Sequence, residues 1–442
     1  MRYCQPIIRT RRHTWPKRLK RLLPCILAVI TASQPVAGRD AGEVEEASGN
    51  EPAATELQPV EPPKRAYFRF LPRPQFISSL LEDKTIPILG GRWGGDIFVD
   101  VPLNNEPGGA SVTLRRARLK YSRGFLNNWQ LKLSADYAKD AGLEINDSYF
   151  MYKGWKTVLL TIGVDDPPFS LESVSSATGL TFMERSLAVQ SLSERKAGGI
   201  TILKRTPTSI LNADVVFFAP KRDDLQDVGQ ALVLHYVHSP ISFRNQDNVH
   251  LGGSLSYRIN ANPDNTQFRT YPEIAVSNDY FVDTGTISGA NKVIRTSLEA
   301  SRVSGRLSWQ TELLSTSVDR KGYPGVRFWG AYAYVSWFLT DDSRNYLEGF
   351  GKFGALTPSK PLFKGGKGAF ELAFRASWVD LNDGDVIGGE ESNLSLGFNW
   401  YLNYNLRLMT NVIKVLDVNR PGSEYDGQDP LIFALRAQWL ID

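Results

Sequence analysis

Leu394-Ser395-Leu396-Gly397-Phe398-Asn399-Trp400-Tyr401-Leu402 alternates oily residues with small or polar ones throughout. Side chains of a strand point to opposite faces with a period of two, so this stretch has one apolar and one wet surface. The pattern recurs across most of the chain. In 114–121, Ala117, Leu119 and Tyr121 oppose Arg116, Arg118 and Lys120. In 129–137, Trp129, Leu131, Leu133, Ala135 and Tyr137 alternate with Gln130, Lys132, Ser134 and Asp136. Phe370, Leu372, Phe374, Ala376 and Trp378 face away from Glu371, Arg375 and Ser377, and Leu431, Phe433, Leu435, Ala437 and Trp439 face away from Arg436 and Gln438. Lipid outside and water inside is the environment that such strands require, and the fold class expected is an all-β, antiparallel transmembrane barrel. A soluble sandwich also alternates. So many strands with bulky outward aromatics would overfill the single core of a sandwich.

The first 38 residues form a separate unit. Arg9, Arg11, Arg12, Lys17, Arg18, Lys20 and Arg21 precede an apolar run from Leu22 to Ala32, and Val36-Ala37-Gly38 follows. This order is that of a secretory signal peptide cut near Gly38. The leader carries eight of the 51 Lys and Arg and no acid, leaving 43 basic against 47 acidic side chains. The formal +4 of the full chain is therefore no argument for a nucleic-acid partner. Cys4 and Cys25 both lie in the leader, so the mature chain has no thiol chemistry and no cysteine metal site. No later segment has about 18 uninterrupted apolar residues, which leaves strands as the means of crossing a membrane.

Residues 40–64 are rich in Glu, Pro, Ala and Gly without apolar periodicity, so 39–89 reads as a disordered arm and a transition into the barrel. The barrel domain spans 90–442. Strands of about ten residues with their turns give roughly 16 to 18 crossings over that length. Of the candidate segments, 268–277 is the one to demote to loop, since bacterial barrels favour even strand numbers. The interval 165–197 breaks the rhythm. It contains Asp166-Pro167-Pro168-Phe169 and Thr181-Phe182-Met183-Glu184-Arg185-Ser186. Long irregular segments of compact folds are usually functional or disordered. In a barrel the expected role is a constriction loop folded into the lumen, with Glu172, Ser173, Glu184 and Arg185 as its candidate residues. Glu184 and Arg185 are expected to form an ion pair that pins the loop.

Leu114-Arg115-Arg116-Ala117-Arg118-Leu119, Pro168-Phe169-Ser170-Leu171-Glu172 with the later Thr181 to Ser186 run, and Leu396-Gly397-Phe398-Asn399-Trp400-Tyr401-Leu402-Asn403 followed by Arg407-Leu408-Met409 resemble the phosphate-selective porin O and P family. The resemblance runs from about Gly90 to the end. It implies an outer-membrane barrel of 16 strands in a Gram-negative bacterium, a homotrimer with an inward third loop, and basic lumenal residues guiding small anions such as phosphate. It implies no cofactor. Where phosphate-selective members carry a lysine after the Phe-Gly-Leu-Glu stretch, this chain has Ser173. Gln130 replaces a second lysine and Asn146 an acidic partner. What carries over is the barrel and the channel; phosphate recognition is the part these departures touch.

Parity alone points Arg92, Arg116, Arg118, Lys120, Lys132, Arg258, Arg295, Arg306, Arg375, Arg407 and Arg436 inward, against Asp96, Asp100, Asp136, Asp147, Glu299, Glu312 and Glu371. Charged rings in a narrow passage attract counter-ions and repel co-ions. The stripe Arg116, Arg118, Lys120 and Lys132, with Arg92 near it, is the candidate anion pathway. Any single member has a bland alternative, a wall-stiffening salt bridge. An outer-membrane enzyme would need a serine beside a histidine. The mature histidines are His235, His238 and His250, and the first two fall on opposite faces of one strand, so no catalytic or metal site is read from them. A non-conducting anchor is the third reading. It fits poorly with about 16 strands, which leave an aqueous channel.

Overall fold

The computed structural model describes residues 90–103, 112–138, 142–218, 229–240, 247–274 and 280–441. The expected signal peptide, 1–38, and the expected arm, 39–89, lie outside these residues. Among them, seventeen hydrogen-bonded segments close into one antiparallel sheet. Two segments, Gly142–Ile145 and Ser148–Tyr152, both pair with the strand Trp129–Ala138 and are halves of one crossing, which makes a barrel of sixteen strands. In chain order these are β1 (Arg92–Leu103), β2 (Thr113–Phe125), β3 (Trp129–Ala138), the split β4, β5 (Val158–Asp165), β6 (Ala197–Arg205), β7 (Ser209–Phe218) and β8 (Gly229–His238). There follow β9 (Asp247–Asn260), β10 (Ala290–Ser304), β11 (Leu307–Arg320), β12 (Val326–Phe338), β13 (Ala369–Asp383), β14 (Val386–Tyr401), β15 (Leu406–Asn419) and β16 (Leu431–Ile441).

β1 pairs with β16 from Gly95 opposite Ile441 to Leu103 opposite Phe433, and this pairing closes the barrel. Closure leaves no unpaired edge, so backbone groups at membrane depth are satisfied within the sheet. The two faces separate as the period of two requires. Leu298 is 66% exposed beside Glu299 at 5%, and Leu396 47% exposed beside Ser395 at 1%. The interior is the polar side, and Arg258, Arg295 and Arg375 are among the largest fully buried side chains. Residues 268–274 add no crossing, and 275–277 lie outside the described residues. Arg269–Thr270 pairs instead with Val282–Asp283 as a small ladder within the β9–β10 connection.

Connections alternate between the two ends of the barrel. At the end reached by β2, β6 and β10 the turns are short, 126–128, 206–208 and 305–306, which marks the periplasmic side. Three segments depart from short turns and enter the interior. Between β5 and β6 the chain forms α1 (Leu171–Val174), a single 3₁₀ turn at Ala177–Gly179 and α2 (Leu187–Leu192), whose apolar residues are buried. The β9–β10 connection places Glu273 at 0% exposure, bound to Arg375 of β13. On the periplasmic side, residues 339–368 carry a small hairpin, Tyr346–Leu347 with Lys352–Phe353, and the Phe353 N–H donates to Ser175 Oγ at 3.2 Å. Of the three, sequence points to the first as an inward-folded loop and, through 268–277, to the second only as a loop.

Candidate functional site

The basic stripe is built by β1, β2 and β3. Arg118 stands opposite Asp136 in the β2–β3 register, and its guanidinium forks onto that carboxylate at 2.5 and 2.7 Å. Lys120 Nζ lies 2.5 Å from Asp96 Oδ2. Arg116 sits 4.0 Å from Asp96 and 3.9 Å from Asp136, with its guanidinium 5.1 Å above the Phe98 ring. Lys132 reaches Asp147 at 2.8 Å, at the break between the halves of β4, and Lys196 of the loop shares the same carboxylate. Arg116, Arg118, Lys120 and Lys132 are therefore brought together, while Arg92 stands apart at the exposed start of β1, opposite Ser122.

Each cation of this stripe has a carboxylate behind it, and in each pair the cation is the more exposed partner. Arg116 is 20% exposed and Lys120 30%, over an Asp96 at 1%. Lys132 is 27% exposed against 15% for Asp147. Lys196, at 9%, reverses the order. A surface of this kind offers N–H donors to the water while its net charge stays small.

Arg115 belongs with the stripe although strict parity points it to lipid. Phe98 pairs with Arg116 and Val99 with Leu114, so Arg115 is the extra residue of a β-bulge. The bulge turns it inward, where it donates to Glu184 at 3.0 and 3.2 Å. Sequence alone carried one trace of this, two adjacent arginines in a strand whose other residues alternate.

Glu184 and Arg185 do not pair with each other, which corrects the expected ion pair. Glu184 is gripped by two wall arginines, Arg115 and Arg436, the latter at 2.6 Å. Burial by itself would raise its carboxyl. Arg115 and Arg436 outweigh burial and hold it well below the usual range. Arg185 donates to the carbonyls of Glu172, Ser173 and Ser175 at 3.1, 2.9 and 3.2 Å. Those carbonyls at the end of α1 lack partners within so short a helix, and the guanidinium supplies them. Adjacent residues point apart, so one reaches the wall and the other the loop's own backbone.

Glu172 accepts from the N–H and Oγ of Ser186, at 2.9 and 2.8 Å, and lies 3.5 Å from Arg375. Its burial raises the carboxyl despite that arginine. Ser173, where a lysine would stand, donates its N–H to Ser170 Oγ and is nearly buried. Gln130 accepts from Lys153 in the β4–β5 turn, and Asn146 donates to Asp136 at 2.7 Å. The three departures thus fill their places with neutral groups that bond locally.

The remaining inward arginines hold the loop. Arg258 and Arg295 converge on Glu194 at 2.5 and 2.8 Å, Arg407 donates to the carbonyls of Leu180 and Thr181, and Arg436 forks onto Asp100. Arg306 is a correction. It sits in the tight β10–β11 turn, half exposed, and pairs with Asp341 outside the lumen, because the turn ends the strand parity that would have pointed it inward. Gly330 of β12 lets α2 approach closely, since a Cβ there would lie 2.8 Å from Ala188 Cβ.

A closed sixteen-strand barrel with charged walls and a loop folded across its interior defines a channel of the outer-membrane porin class. The family model for phosphate-selective porin O and P matches residues 89–441, and the chain belongs to that family. Porin O of Pseudomonas aeruginosa is 25% identical over 370 residues, covering 74% of this chain and 82% of that protein. An uncharacterized protein of Caulobacter vibrioides is 28% identical over 342 residues, covering 71% and 67%. Among solved structures, a loop-deletion mutant of OmpT, an outer-membrane protein of Vibrio cholerae, shares the fold at a TM-score of 0.51 and 11% identity, with 79% of this chain and 98% of that one covered. An anion-selective porin from Comamonas acidovorans aligns at 0.49 and 12%, over 79% and 99%. The protein is an outer-membrane porin of a Gram-negative bacterium and not an enzyme.

Proposed function

We propose that the channel passes small anions by passive diffusion, with a mild preference over cations and without a tight phosphate site. The observation that carries this reading is the exposure order in the stripe, where Arg116, Lys120 and Lys132 reach the water and Asp96 and Asp147 lie beneath them. Phosphate would meet N–H donors along this track. Ser173, Gln130 and Asn146 are bonded locally, and none of these three positions adds a charge to hold it. The same reading takes the chain as a homotrimer, on the family resemblance, with the leader removed near Gly38.

Planar-bilayer recording of the refolded protein tests this. Reversal potentials in a potassium chloride gradient should favour chloride modestly, and phosphate titration should reduce the current only at high millimolar concentration. Block by micromolar phosphate would overturn the absence of a tight site. No ion preference would make it a general-diffusion porin, and no conductance would make it an anchor.

A further inference from the structure

We propose that His235, His250 and Glu299 form a binding site for one divalent transition-metal ion of the zinc type in the inner wall of the barrel. The three residues lie on β8, β9 and β10. Glu299 stands opposite Gly252 in the β9–β10 register. Because Gly252 has no side chain, the Glu299 carboxyl lies over that position, and a Cβ built there would collide with Oε1. In this notch Glu299 Oε1 is 2.5 Å from His235 Nε2 and 3.0 Å from His250 Nε2. All three side chains are buried to within 1%.

Two imidazole nitrogens and a carboxylate oxygen thus converge on one point, all within 4.8 Å of one another. Each neutral imidazole carries one ring N–H: with it on Nε2 the ring donates to Glu299 Oε1, and with it on Nδ1 the Nε2 lone pair faces the carboxylate, ready for a shared cation. The remote atoms of two of the ligands are already engaged. His250 Nδ1 is 2.6 Å from Tyr346 Oη, and Glu299 Oε2 accepts the Leu171 N–H at 2.6 Å. Such outer contacts fix the orientation of metal ligands and leave their near atoms to the ion. His235 is held through Nε2 alone, its Nδ1 making no hydrogen bond among the described residues. His238 points to the other face, where it meets Ser209 Oγ at 3.3 Å, and takes no part.

Two histidines and a carboxylate form the mixed nitrogen and oxygen set that borderline ions such as zinc prefer, and magnesium and calcium do not. Zinc bonds of about 2.0–2.2 Å place tetrahedral ligand atoms roughly 3.3 Å apart. The His250–Glu299 separation is close to that, and the His235 ring has to withdraw by roughly 1 Å. A bound ion would join three wall strands to the first turn of the constriction loop through Leu171, and to the inward segment 339–368 through Tyr346.

The full barrel is refolded in detergent with zinc, cobalt or magnesium, desalted, and its metal counted by mass spectrometry. One zinc or cobalt per chain should be retained and no magnesium. The cobalt form should show the intense visible bands of a four-coordinate site. His235→Ala and His250→Ala should each lower retention at least about tenfold. Retention below about one ion per ten chains, or His variants that retain as much as wild type, overturns the site. If the variants do not refold, the wild-type cobalt spectrum decides, and the weak bands of hydrated, six-coordinate cobalt overturn it.

Discussion

Replacing Asp96 by Asn removes the carboxylate beneath Lys120 and Arg116 with almost no change of volume. An anion resting against Lys120 Nζ lies roughly 6 Å from that carboxylate, which is itself 2.5 Å behind the ammonium. The repulsion lost is about 0.7 kcal/mol at the dielectric of water and about 1.4 kcal/mol at half that value. These energies raise the local anion concentration about threefold to tenfold. The assay is the reversal potential across a potassium chloride gradient near 0.1 M, where the screening length is about 10 Å. The chloride to potassium permeability ratio should rise at least about threefold, and the gain should fade near 1 M, where screening shortens to about 3 Å. Heat-modifiability on gels confirms that the variant forms a barrel. A folded variant with an unchanged ratio at low salt would show that permeating ions do not pass Lys120, and the stripe would lose its place as the pathway.

Gly330→Val drives a side chain into α2, where Ala188 Cβ and Cα lie 2.8 and 2.9 Å from the new Cβ. Overpacking of this kind costs about 1–3 kcal/mol, so the loop should shift while the barrel persists. Single-channel recording should show altered, noisier currents, and wild-type traces would refute the packing. Glu184 answers to pH with a defined sign. Its carboxyl is depressed, so its stabilisation is complete above the ordinary glutamate value of 4.5 and is lost only as pH falls through the lower folded value. Conductance should therefore be steady from pH 7 down through 4.5, whereas Glu184→Gln should gate abnormally already at pH 7. A wild-type transition near 4.5 would contradict the pairing with Arg115 and Arg436. Glu172, raised by burial, shifts in the opposite sense, and the Glu184 variant separates the two.

What the sequence by itself determined is whatever depends on a period of two. The alternation from Leu394 to Leu402 is a local property of an extended chain, and in β14 Leu396 and Phe398 face out while Ser395 and Asn399 face in. The preference of barrels for even strand numbers demotes 268–277, and the length of 165–197 marks it as a segment leaving the wall. The glycine-rich interruption 339–368 between two clear strands is a second such mark in the sequence. Tertiary structure alone decided the rest. A bulge is a mismatch between two strands, so only the β1–β2 register could turn Arg115 inward. Glu184 and Arg185 are adjacent in the chain, yet their partners come from β2, β16 and α1, because neighbouring residues of an irregular loop point apart. His235 and His250 meet at Glu299 through the pairing of three strands and the missing side chain of Gly252. Which face a residue occupies follows from spacing along one strand, but which residue it meets follows from how distant strands align.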